Sequence, residues 1–272
     1  MNGTPIGLAL RFWFLAELFF AAAATLAVAL DPAKTSTNFA WTIKPVVMAS
    51  LIGAFYVALA PVMVLAIFAR RWEMVRVFVI PGALFTLTEL IVTFLHWERF
   101  AVGSGPFNLW FASYLLPPPV FLACYLWQEK QARRATGMHD EGHELARWQR
   151  FTLFALGSLL TLETVIALIW PAWLTASAPW AMSALNARAL AGYLGLLGML
   201  MLSMAHENHR DRVRLVSPFL VLLLPVIAFQ VCRFSDQVDW NHPRIFVTVA
   251  LLAVVAGLGL SLMRGSWRRT LT

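Results

Sequence analysis

Eight runs of mainly apolar residues, at 8–30, 43–68, 75–97, 107–127, 151–170, 183–205, 213–233 and 244–263, constrain this chain more than any other feature. Each has about the 20 residues that a helix needs to cross the hydrocarbon core of a bilayer. In lipid a backbone must satisfy its own amides, so apolar runs of this length are helices. The ten-residue alternation of a membrane β-barrel is missing. The expected fold is therefore all-α: a polytopic membrane protein with eight transmembrane helices. Composition agrees, with 60% hydrophobic and 13% charged residues against about 45–50% and about 25% in soluble domains. Disordered chains, disulfide scaffolds and cytosolic enzymes are excluded. The net charge of +7 does not indicate nucleic acid, because the basic residues flank the spans and form no separate domain.

Lysine and arginine set the expected orientation. One side carries 15 of them: Arg11, Arg70, Arg71, Arg76, Lys130, Arg133, Arg134, Arg147, Arg150, Arg210, Arg212, Arg214, Arg264, Arg268 and Arg269. The other side carries 6, Lys34, Lys44, Arg99, Arg188, Arg233 and Arg244. Both termini are thus expected in the cytoplasm, and the location expected is a cytoplasmic (inner) membrane. Tryptophans at the span ends read as interfacial anchors: Trp41, Trp97, Trp170, Trp173, Trp180 and Trp240 outside, and Trp13, Trp72, Trp127, Trp148 and Trp267 inside. The first span has no basic residue before Arg11 and a long apolar stretch, so it reads as retained and not as a cleaved signal.

The chain also repeats itself. Arg11-Phe12 matches Arg150-Phe151, Trp41 matches Trp180 and Gly53 matches Gly192, all at an offset of 139. Arg71–Arg76 then matches 209–214 at 138, and Pro106 matches Pro243 at 137. The expected organisation is two parallel four-helix repeats, 1–127 and 151–272, joined by a charged cytoplasmic linker at 128–150. An even number of spans per unit implies a pseudo-twofold axis along the membrane normal. The stretch Leu95-His96-Trp97-Glu98-Arg99-Phe100, followed by Pro117-Pro118-Pro119, resembles uncharacterised bacterial multipass membrane proteins. That resemblance implies no function.

Ionisable groups within spans are expensive, about 2.5–3.5 kcal/mol each on insertion scales, so each needs a reason. Gly82, Thr86, Glu89, Thr93 and His96 form a small-and-polar stripe down one helix face. The second repeat has Phe219, Leu223, Val226, Gln230 and Arg233 there, so any site is asymmetric. Glu163 and Arg188 fall at similar depth on adjacent spans and read either as a structural ion pair or as part of a site with Glu89. His96 and Asn186 stand near its entrance, and two acids against one base leave a carboxyl awaiting a proton or cation. Glu17 reads as pairing with a basic residue near the inner surface. Ala191, Gly192, Gly195 and Gly198 would let another helix approach closely. Pro117, Pro118 and Pro119 remove three amide donors within the fourth span, giving a kink or a gate.

The candidate ligand-binding residues are therefore Glu89, Glu163, Arg188, His96, Thr86, Thr93 and Asn186, with Pro117–Pro119 as the kink. No HExxH, P-loop or GxSxG occurs, no lysine lies inside a span, and no cofactor or metal is expected. A transporter or small-ligand binder with an outward-facing polar pocket fits best. A non-catalytic subunit or scaffold of a larger complex is the alternative, and a membrane-embedded enzyme the third. The expected partners are the lipid bilayer, a small molecule or ion, and a homo-oligomeric or membrane-complex partner.

Overall fold

The computed structural model describes residues 3–135 and 143–264. His139, Asp140 and Glu141 of the linker, with Trp267, Arg268 and Arg269, lie outside the described residues. Among the described residues eight helices are long and apolar enough to cross a membrane. They are α1 (Leu8–Leu30), α2 (Val46–Phe68), α3 (Trp72–Leu95), α4 (Gly105–Arg134), α5 (Arg147–Ile169), α6 (Ala184–Glu207), α7 (Arg210–Arg233) and α8 (Pro243–Met263). The chain is a multipass membrane protein.

Local signals place the helix ends. Ser104 caps α4 by accepting from the Phe107 amide at 3.2 Å, with Pro106 in the first turn. Ser183 caps α6 in the same way through the Asn186 amide. Such side chains satisfy donors that the first turn leaves orphaned. At the other end of α6, Asn208 takes the left-handed conformation (φ 48°) that a helix terminus requires.

Burial sorts the helices. In their most apolar stretches α6 and α3 bury 72% and 61% of residues, whereas α1, α4 and α5 each bury 28%. The centre is built from α2, α3, α6 and α7, with α2 against α7 and α3 against α6. Outside it, α1 packs on α2, α4 on α3, α5 on α6 and α8 on α7. Glycines set the closest approaches. A Cβ on Gly198 would stand 2.8 Å from the Thr161 amide nitrogen of α5, and one on Gly157 would stand 2.9 Å from the Gly198 carbonyl. Without a hydrophobic drive between helices in lipid, such contacts supply the dispersion that joins them.

Two helices depart from regularity. The last turn of α1, Thr25–Leu30, is π-helical. Its carbonyls are satisfied from outside: Asn38 Nδ2 donates to Ala27 O, and Arg233 Nη1 donates to Ala29 O at 2.6 Å. Helix α4 bends at Leu116, between Gly105–Leu115 and Pro117–Ala135. The three prolines open the second segment, where first-turn amides have no helical partner, so they are tolerated there.

At the arginine-rich end a charged cluster ties four helices together. Arg76 of α3 donates twice to Glu207 of α6, both at 2.7 Å, and Arg212 of α7 donates to the same carboxylate at 2.5 Å. Trp72 Nε1 donates to Glu129 of α4. Three tryptophans expected as interfacial anchors or near them are interior instead: Trp72 is wholly buried, and Trp41 and Trp110 stack edge-on in the core. Their indole N–H groups find protein acceptors, as buried indoles require.

Gly198→Ala should lower stability by about 1–3 kcal/mol, because its methyl meets backbone that cannot yield. Thermal unfolding in detergent measures this, and an unchanged midpoint would mean that α5 and α6 are not held this closely.

Candidate functional site

The ionisable groups inside the bundle are not arranged as their depth suggests. Glu163 pairs with Arg244 of α8, which also contacts Ser177 Oγ. Arg188 forms no ion pair with Glu163; its Nε donates to Leu168 O at 2.9 Å and its Nη1 meets His96 Nε2 at 2.9 Å. The expected Glu163–Arg188 pair is thus replaced by two separate contacts. Depth along a helix does not fix the azimuth, and the loop before α8 brings in Arg244 as the nearer cation.

Glu89 is the carboxyl left over. It is fully buried, and neither carboxyl oxygen has a hydrogen-bond partner. It fits a notch in α6 made by Gly192, where a Cβ would collide with its Oε1. Glu89, Glu163 and Arg188 therefore share no hydrogen bond. Thr86 and Thr93 donate to carbonyls one turn back on their own helix, and Thr93 Oγ1 also accepts from Trp110 Nε1 at 3.0 Å. Asn186 joins Trp41 Nε1 and Lys44 O, both at 3.0 Å.

Beside Glu89 lies a feature that sequence reading missed. The hydroxyls of Tyr56, Tyr114 and Tyr193 converge from α2, α4 and α6, at 2.6 Å for Tyr56–Tyr114 and Tyr193–Tyr56 and 3.4 Å for Tyr114–Tyr193. All three residues are buried. Phe85, one turn before Glu89 on α3, packs its ring against both Tyr114 and Tyr193. Nothing in residue spacing links positions on three helices, so no sequence signal announces such a triad.

Two of these tyrosines, Tyr56 and Tyr114, form one wall of a cavity of about 80 Å³. Its other walls come from α1, α3, the first segment of α4 with Phe121 beyond the bend, the turn at Asn38–Phe39 and Leu196 of α6. A water needs roughly 10–15 Å³ measured this way, so the space takes several waters or a small organic group. Most of the lining is apolar or aromatic. Of the candidate ligand-binding residues only Thr86 lines it, with Gly82 of the same stripe, while Glu17, expected to pair with a basic residue, stands in its wall with Oε1 buried and unpartnered. Among the described residues no three His, Cys, Asp or Glu side chains converge as a metal site would.

His96 and Arg188 lie at the end of the bundle away from the arginine-rich cluster. Arg188 can only donate, so Nε2 accepts and the imidazole is neutral, with its proton on Nδ1. Desolvation, then Arg188, then Arg99 hold the His96 pKa below the usual histidine value. The unfolded chain therefore binds the proton more readily. Stability from this contact is complete above pH about 6.5 and is lost as pH falls through the lowered folded value. His96→Gln should flatten that part of the pH profile of thermal unfolding; an unaltered profile would show that the contact is not made.

Gly192→Ala should destabilise by about 1–3 kcal/mol through overpacking on Glu89, and Glu89→Ala in the same chain should recover most of that loss. Additive effects in the double variant would separate the two residues. Comparison with protein families, with curated proteins and with solved structures returns no match for this chain.

Proposed function

We propose that this protein binds or transports a small ligand in the inner membrane, through a site within its first four helices. The observation that carries this reading is the cavity beside the tyrosine triad, with the partnerless Glu17 carboxyl in its wall. A purely structural membrane bundle gains nothing from a buried unpaired carboxyl, since each uncompensated polar group is costly in hydrocarbon. The bent fourth helix adds to the reading, because freed carbonyls in a membrane are tolerated where they meet protein or a water-filled space. The site differs from the sequence expectation in being mostly apolar, with few polar groups.

The proposal includes two parallel repeats and cytoplasmic termini. Three pairs of hydrogen bonds favour the repeat, their partners separated throughout by 138 or 139 residues. Trp72 N donates to Thr4 O at 2.8 Å and Arg210 N to His143 O at 2.9 Å; Ala101 N donates to Ala40 O at 2.9 Å and Asp239 N to Pro179 O at 2.8 Å. Arg11 bonds Ile67 O at 2.8 Å and Arg150 bonds Ala205 O at 3.2 Å. The packing of α2 on α7 and of α6 on α3 is the exchange that a twofold along the membrane normal would produce. The lysine and arginine imbalance favours the orientation.

Two measurements test the proposal. In a variant lacking Cys124 and Cys232, single cysteines at the exposed positions Thr37 and Ala176 should react with an impermeant thiol reagent in intact cells. One at the exposed Glu144 should not, and the opposite pattern would invert the topology. Thermal unfolding of purified protein, screened over inorganic ions, small organic acids, amines, alcohols and lipids, should find at least one class that stabilises saturably. No response from any class would remove the binding reading.

A further inference from the structure

We infer that the cavity accepts a small organic ammonium ion with an apolar or aromatic body. The inference rests on the pocket reading above and specifies its ligand. It follows from which polar atoms in the wall still lack partners.

Most polar side chains there are already satisfied. Thr86 donates to Gly82 O, Ser113 donates to Trp110 O, Trp110 donates to Thr93, and the Tyr56 and Tyr114 hydroxyls bond each other. Asn38 uses its amide nitrogen on Ala27 O and Asp31 O. Because both neighbours are carbonyls, the orientation of that amide is fixed and Oδ1 remains the free atom. The buried atoms without partners in this wall are thus Glu17 Oε1 and Asn38 Oδ1, both acceptors. Trp13 Nε1, one turn before Glu17, lies within reach of its carboxyl without good hydrogen-bond geometry, and a single neutral donor cannot balance a carboxylate.

Among the described residues that line the cavity none is Lys, Arg or His, so no cation competes for Glu17. A ligand that donates hydrogen bonds and carries positive charge satisfies both of these acceptors at once. The remaining surface suits its body, since Phe20, Phe39, Phe85, Trp110 and Phe121 contribute rings. Aromatic walls favour a desolvated cation as well as apolar carbon. Leu109 is exposed, and Phe20, Ala23 and Pro106 are partly so, which puts the open side between α1 and α4. Glu17 stands 13 residues from Leu30 and 9 from Leu8, about 20 Å and about 14 Å along the helix. A lipid headgroup amine tethered at either surface does not reach it, so the occupant is a free amine.

Three probes of one shape separate the possibilities: phenethylamine, 2-phenylethanol and phenylacetate. In full-length protein purified in lipid-free detergent, phenethylamine should raise the unfolding temperature saturably and the other two should not. Glu17→Gln removes a partnerless carboxyl, so it should fold and unfold normally without ligand. It should weaken phenethylamine by roughly tenfold or more, the span expected for a hydrogen bond to a charged group. Asn38→Ala should weaken it less. If the alcohol binds as well as the amine, or the Gln variant binds amine unchanged, the cation inference falls while the pocket reading stands. Competition by added phosphatidylethanolamine would make the occupant a headgroup and overturn the free-amine assignment. If the amine fails but another screened class binds, only this inference is lost; if nothing binds, both are.

Discussion

In the hydrocarbon region no water is at hand to satisfy a polar atom, and this single condition organises the molecule. Where the end of α1 departs from α-helix, side chains from elsewhere repair it. The π-helical end of α1 takes donors from Asn38, Gln230 and Arg233, which come from two other segments of the chain. Glu163 finds Arg244, and Arg188 finds a carbonyl and a neutral imidazole. Arg76 and Arg212 share Glu207. Against so consistent a background, a few unsatisfied side-chain atoms carry information about what else the protein meets.

Those atoms fall in both halves of the chain, and in the first they include the carboxyl oxygens of Glu89, Glu17 Oε1 and Asn38 Oδ1. Glu89 fills a notch in α6 that only glycine leaves open, so its position depends on the close α3–α6 contact. The tyrosine hydroxyls beside it are satisfied among themselves, with three donors and three acceptors closing on each other. Glu17 and Asn38 are left facing the remaining space. The difference between Glu89 and Glu17 is therefore one of access: the former is sealed behind helix packing, the latter stands in the wall of a cavity.

The span count and most span limits were legible because length and composition determine them, although α4 runs on to Arg134, seven residues past its expected end. Helix-bound small residues were legible too: Gly192 and Gly198 do mark close approaches, to α3 and α5 respectively. Lateral partners were not legible. Glu163 and Arg188 share a depth, yet a helix also has an azimuth, and a position one or two residues away along the chain faces a different neighbour. Tryptophan was misread for the same reason: Trp41 and Trp72 sit at span ends in sequence but point into the core, where Asn186 and Glu129 meet their indoles. The cavity could not be foreseen, since it arises from what six separate segments fail to fill.

Under the proposed repeat, the offset of 139 puts Leu156 opposite Glu17, Gly195 opposite Tyr56 and Ser177 opposite Asn38. In the second half Gly195 lets Thr164 of α5 come so near that a Cβ would stand 2.9 Å from its methyl. That contact draws α5 onto α6, whereas a tyrosine at the corresponding place in the first half lines a cavity between α1 and α2. Replacing a glycine by a ring thus alters two things at once: it props the helices apart, and it supplies a hydroxyl for the triad. With leucine and serine at the matching positions, the Glu17 and Asn38 acceptors have no counterpart in the second half.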